Sequence, residues 1–174
     1  MWNNKPNLVM ANQGVSPSLE SDKMSAGKLV LTAGLLAGIM DGSAAMIQTA
    51  IAGRTMEGLW RYVASGFFGN DAFTGSSAMI VYGILFHLFI AMSWAVIFYF
   101  LYPYLKQWFK NPVVLGMLYG IVVWAVMNLI VLKLANTPKG PFNPGRAAIA
   151  AAILMVCIGL PISLMFNKFY KGKK

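Results

Sequence analysis

The chain is expected to be an all-α membrane protein: four transmembrane helices in a small bundle, plus one interfacial amphipathic helix between spans 1 and 2. Three observations predict this. Of 174 residues, 58% are hydrophobic and only 11% charged, and the apolar residues fall into four blocks parted by short polar stretches. A soluble domain of this length needs about a quarter of its residues charged to cover its surface. The blocks occupy 29–53, 78–102, 112–134 and 147–166, and each reaches the roughly 20 residues that cross about 30 Å of hydrocarbon. They show helical spacing of glycines rather than the alternation of barrel strands.

Residues 1–28 read as a polar, cytoplasmic tail, rich in Asn, Ser and Pro and without the apolar core of a cleaved signal peptide. Residues 29–174 read as a single four-span membrane domain. Of the Lys and Arg residues, nine (Lys5, Lys23, Lys28, Lys106, Lys110, Lys168, Lys171, Lys173 and Lys174) fall on the side of the termini. Five (Arg54, Arg61, Lys133, Lys139 and Arg146) fall on the other. This excess predicts cytoplasmic N- and C-termini. The net charge of +9 then reflects topology and attraction to anionic lipid, not nucleic-acid binding, for which no basic stripe with exposed aromatics is present.

The first block holds one acid, Asp41, near its midpoint. An Asp at a helix centre costs about 2.5–3.5 kcal/mol, so it is expected to face a partner, a cavity or a proton path. Gly34, Gly38, Asp41, Ala45 and Gln48 share one stripe. Gly34, Gly38 and Gly42 offer a small-residue seam for close helix approach, as do Gly116 and Gly120 in the third block.

Residues 56–69 form the amphipathic segment, with Met56, Leu59, Trp60, Val63, Phe67 and Phe68 on one face and Glu57, Arg61, Tyr62 and Ser65 on the other. It is expected to lie flat in the outer interface with Trp60, Phe67 and Phe68 as anchors; a re-entrant element or a lid over the bundle is the alternative. Ser76 and Ser77 are candidate caps for the second span. The far end of that span, with Phe98, Tyr99, Phe100, Tyr102, Tyr104 and Trp108, reads as an aromatic belt anchored by Tyr102 and Trp108. A turn at Pro103, then Asn111 and Pro112, bounds a short connection, making spans 2 and 3 antiparallel neighbours. Three prolines over 137–146 predict a stiff connection to the fourth span, in which Pro161 predicts a kink near the lone Cys157. That cysteine reads as a packing residue.

The polar groups of the spans, Asp41, Gln48, His87 and Asn128, sit at compatible depths and form the candidate intramembrane cluster. In one reading they are interhelical glue, with Asp41 bonded to His87, Asn128 or Ser93. In the other, Asp41 and His87 form a proton relay or coupling site. No phosphate loop, zinc spacing, nucleophile elbow or paired carboxylates occur, so the chain is expected to be non-enzymatic, with no catalytic residue and no metal site. No cofactor is expected either: one histidine does not give bis-histidine haem ligation, leaving only His87 with a methionine, or a haem or quinone shared with a partner subunit.

Several runs resemble a known family: Gly38, Asp41 and Gly42; Arg61, Tyr62, Gly66 and Asp71; Gly83 and His87; Ser93 and Trp94; Tyr119, Gly120, Trp124, Met127 and Asn128. Over residues 29–135 they look like small uncharacterised bacterial inner-membrane proteins, loosely YagU-like. The resemblance implies a bacterial inner (cytoplasmic) membrane location and four spans, and brings no activity or ligand. Two functions are weighed. The first is a non-catalytic accessory or assembly subunit of a larger bacterial membrane complex, with the lipid bilayer and other membrane subunits as partners. The second is a small proton-coupled or solute transporter or channel using Asp41 and His87.

Overall fold

Four helices of this chain are long and apolar enough to cross a membrane, and the molecule is a multi-pass α-helical membrane protein. The structure, a computed structural model, describes residues 24–141 and 143–170; the tail expected over 1–28 lies outside the described residues up to residue 23. The elements in order are α1 (Ala26–Ile51), α2 (Met56–Phe68), α3 (Asp71–Thr74), α4 (Ala78–Trp108), α5 (Pro112–Leu134) and α6 (Pro144–Phe169). Among the described residues no strand occurs.

The helix starts follow capping chemistry. Asn111 accepts from the Val113 and Val114 amides at 2.9 and 3.4 Å, and Asn143 accepts from the Arg146 amide at 3.0 Å. In both cases proline fills the first helical position, where its missing N–H costs nothing. Asn143 therefore starts α6 three residues before the apolar block does. Ser76 and Ser77 behave differently from expectation: α4 begins without a side-chain cap, and their carbonyls accept from Met79 and Ile80 instead.

Two further expectations are corrected. The second span does not end at a Pro103 turn but runs on to Trp108, with Pro103 inside the helix. The packing of Phe98 and Tyr102 below and beside it, against Phe166 and Tyr170, outweighs the lost backbone donor. Nor are spans 2 and 3 close neighbours along their backbones. α1 lies against α4 and α6, and α6 against α5, whereas α4 and α5 meet chiefly through large side chains. Tyr119 donates to the Trp94 carbonyl at 2.7 Å, and its ring lies 4.6 Å from that of Phe98.

Glycines set the two close helix pairs. Along α1, a Cβ at Gly34 or Gly38 would come within 3.2 or 3.0 Å of Ala95 or Ala91 on α4. At the other pair, a Cβ on Gly159 would collide with the Gly116 carbonyl, and one on Gly120 with the Met155 backbone. α6 accommodates this approach with a π turn at Met155–Gly159, just before Pro161, and α5 carries another at Met127–Val131. Both glycine seams are thus filled within the chain.

The half of the bundle holding the termini is filled with aromatic side chains. Phe98, Tyr102 and Phe166 are fully buried there, next to Leu29 and Ile162. Tyr102 therefore does not reach an interface as an anchor, because its ring packs 5.0–5.6 Å from those of Phe98, Phe166 and Tyr170. Trp108, at 83% exposure, stands outside the protein core.

Candidate functional site

The other half of the bundle is built differently, and α2 is the reason. This helix does not lie free in an interface; it packs on α4 across Gly83, where any Cβ would collide with the Trp60 carbonyl. Its buried face carries Ala64 and Ser65, the latter assigned by sequence to the polar face. Ser65 satisfies its hydroxyl by donating to the Tyr62 carbonyl at 2.7 Å, which lets it sit in a dry contact. Trp60 and Phe68 are half-buried against His87, Tyr82 and Phe86, while Phe67 remains 73% exposed.

Three polar attachments hold α2 in place. Arg61 donates to Glu57 at 2.8 Å and to the carbonyls of Ala72 and Gly75 at 2.8 and 2.9 Å, tying α2 to α3 and the turn after it. The Asn136 amide donates to the Gly66 carbonyl at 3.3 Å, tying it to the end of α5. Gly53 and Gly69, both at positive φ (66° and 58°), reverse the chain on either side of α2.

Beneath α2 lies a cavity of about 300 Å³, partly open, walled by all four spans. From α1 it receives Asp41, Ala45 and Gln48; from α4, His87, Ala91 and Trp94; from α5, Val123, Met127 and Val131; from α6, Ala150, Ile153 and Ile158. Tyr62, Val63 and Gly66 of α2 close it from above, and buried Thr137 borders it. The arrangement is that of a lid over the bundle, in place of a flat surface helix.

The polar groups of the wall are few and specifically placed. His87 Nε2 lies 2.9 Å from the Gly38 carbonyl oxygen; a carbonyl only accepts, so Nε2 carries the proton and donates. Asp41 Oδ2 is 3.9 Å from the same nitrogen, beyond hydrogen-bond length. No described residue donates a hydrogen bond to Asp41. Gly42 makes this geometry available: a Cβ there would stand 3.2 Å from His87 Nε2 and 3.5 Å from Trp60 Cη2. The indole of Trp60 meets the imidazole edge-on, with ring centroids 5.7 Å apart.

Asn128 does not join this cluster. It donates to the Trp124 carbonyl of its own helix at 2.9 Å and is not part of the cavity wall. Gly116, Gly120, Trp124 and Asn128 follow one another at a spacing of four, which suggests one face but drifts by about 40° per step on a helix of 3.6 residues per turn. The glycines face α6, and the later members have rotated away; Val123, Met127 and Val131 face the cavity instead. Ser93 likewise bonds within its helix, to the Phe89 carbonyl at 2.8 Å. Among the described residues no group of three His, Cys, Asp or Glu residues of metal-binding size occurs.

Sequence reasoning gave no packing role to Gly83 and Gly159, the two tightest helix contacts, and no cavity role to Tyr62, Val123 and Met127, although Gly83, Tyr62 and Met127 stand among the residues of the family resemblance. A lone glycine inside an apolar span was the available signal for the first two. No family model, no curated protein and no solved structure matches the chain.

Proposed function

We propose that this chain is a non-catalytic carrier for a small solute, which occupies the cavity beneath α2 and is oriented by Asp41 and His87. One observation supports the reading above others: Asp41, Gln48 and His87, three of the four polar groups of the expected cluster, open onto one cavity. His87 does link α4 to α1 through the Gly38 carbonyl, but Asp41 accepts no hydrogen bond from a neighbouring helix among the described residues, as an acid serving only as interhelical glue would. The cavity walls are largely aliphatic and aromatic, with a small number of convergent polar groups, which is the general form of a small-molecule site. The orientation that fits the Lys and Arg distribution puts the termini in the cytoplasm and the cavity in the outer half of a bacterial inner membrane.

Uptake into proteoliposomes tests this directly. Vesicles holding the purified chain are offered a panel of small labelled neutral, cationic and anionic organic solutes. The expected result is uptake of one class above that of protein-free vesicles, abolished by Ala45→Phe, whose ring fills the cavity next to Asp41. Uptake of none of the classes overturns the carrier reading; stable heteromeric association in native mass analysis would then support an accessory subunit.

A further inference from the structure

We infer that the solute is a small organic cation, bound with its charge at Asp41; this rests on the carrier reading and names its substrate class. The wall of the cavity contains one carboxylate and neither lysine nor arginine, so an anion would meet an uncompensated negative charge. The His87 proton does not neutralise that charge by hydrogen bonding, since it is directed at the Gly38 carbonyl at 2.9 Å while the carboxylate lies at 3.9 Å. Asp41 therefore stands in a largely apolar, partly open cavity with its oxygens free of donors from the described residues, an arrangement whose charged form is costly unless an opposite charge enters or a proton is taken up.

The chemistry of the rest of the wall selects the kind of cation. Hard metal ions require six or more oxygen ligands, and Asp41 and His87 have no third acidic, imidazole or thiol ligand among the described residues. An alkyl- or aryl-ammonium ion needs no such shell. A quaternary one is weakly hydrated, gains from the apolar wall, and is attracted to aromatic rings; Trp94 and Tyr62 line the same cavity. A neutral molecule of the same shape would gain the apolar contacts and lose the charge pairing.

A charged ligand and its uncharged carbon isostere separate these contributions. Calorimetric titration of the full chain in lipid nanodiscs, corrected with empty nanodiscs, compares benzyltrimethylammonium with neopentylbenzene. The expected result is saturable one-to-one binding of the cation, with the isostere at least about tenfold weaker. Asp41→Asn should weaken the cation by about tenfold or more and leave the isostere unchanged, whereas Asp41→Glu should retain binding. Equal affinities for the two ligands, or cation binding indifferent to Asp41→Asn, would overturn the inference and leave the carrier reading standing on the apolar cavity. Absence of binding by both would also overturn it, and the uptake panel then decides the carrier reading separately.

Discussion

At the scale of the residue, glycines fix where helices touch. Gly83 brings α2 onto α4 so closely that its hydrogen stands where any Cβ would strike the Trp60 carbonyl. Because that neighbour is backbone and not a flexible side-chain end, relief requires the helices to separate. Gly83→Ala should therefore lower stability by about 1–3 kcal/mol, the usual cost of overpacking, read as a fall in the thermal midpoint in detergent. Gly27→Ala, at a position with nothing within 4 Å, should leave the midpoint unchanged or raise it; equal losses for both variants would contradict the assignment. Asp41 presents the opposite case. Asp41→Asn keeps the shape, breaks no hydrogen bond to a described residue and removes the cost of burying a charge, so thermal stability should stay level or rise. A large loss would mean that the carboxylate is structural.

At the scale of the element, α2 is a lid held by Arg61. One guanidinium satisfies the last carbonyls of α3 and its turn, at Ala72 and Gly75, while pairing with Glu57. Charged hydrogen bonds of this kind contribute about 1.5–3 kcal/mol, and lysine lacks the fork that reaches all three acceptors. Arg61→Lys should speed hydrogen exchange across α2 and α3 while leaving α1 protected; unchanged exchange in α2 would show that packing on α4 alone holds the lid. How much of such detail the sequence carries depends on whether it is local. The start of α5 is legible because Asn111–Pro112 caps its own helix, whereas α6 is expected only from 147: Asn143–Pro144 caps it in the same way but reads as part of the proline-rich connection. Pro103 misleads, because its local preference for a break is overridden by the tertiary packing of Phe98, Tyr102 and Phe166. Asn128 misleads for a geometric reason: four-residue spacing drifts around the helix. Asp41, Ala45 and Gln48 could be placed on one face since alternating steps of three and four follow the helical period.

At the scale of the whole molecule, the two halves of the bundle differ in kind. The core of the half with the termini is packed by Phe98, Tyr102 and Phe166; the half under α2 holds the larger, partly open cavity. Four spans were legible from hydropathy, but the order of packing, with α1 and α6 central and α4 and α5 joined by side chains, depends on contacts that no single span encodes. The proposed orientation predicts that, in a Cys157→Ser background, Lys139→Cys is labelled by an impermeant maleimide on intact cells and Lys110→Cys only after permeabilisation; the reverse pattern would invert it. The central claim, that the space beneath α2 is an accessible solute site, is tested most directly by thiol reactivity at two positions of α1. Ala45 lines the cavity and Ile47, 61% exposed, faces outward from the bundle. Thiols react as thiolates, which need a polar surrounding. In the Cys157→Ser background, a small water-soluble methanethiosulfonate should modify Ala45→Cys at least about tenfold faster than Ile47→Cys, and benzyltrimethylammonium should slow the first reaction only. Equal rates at the two positions, with no protection, would contradict the account.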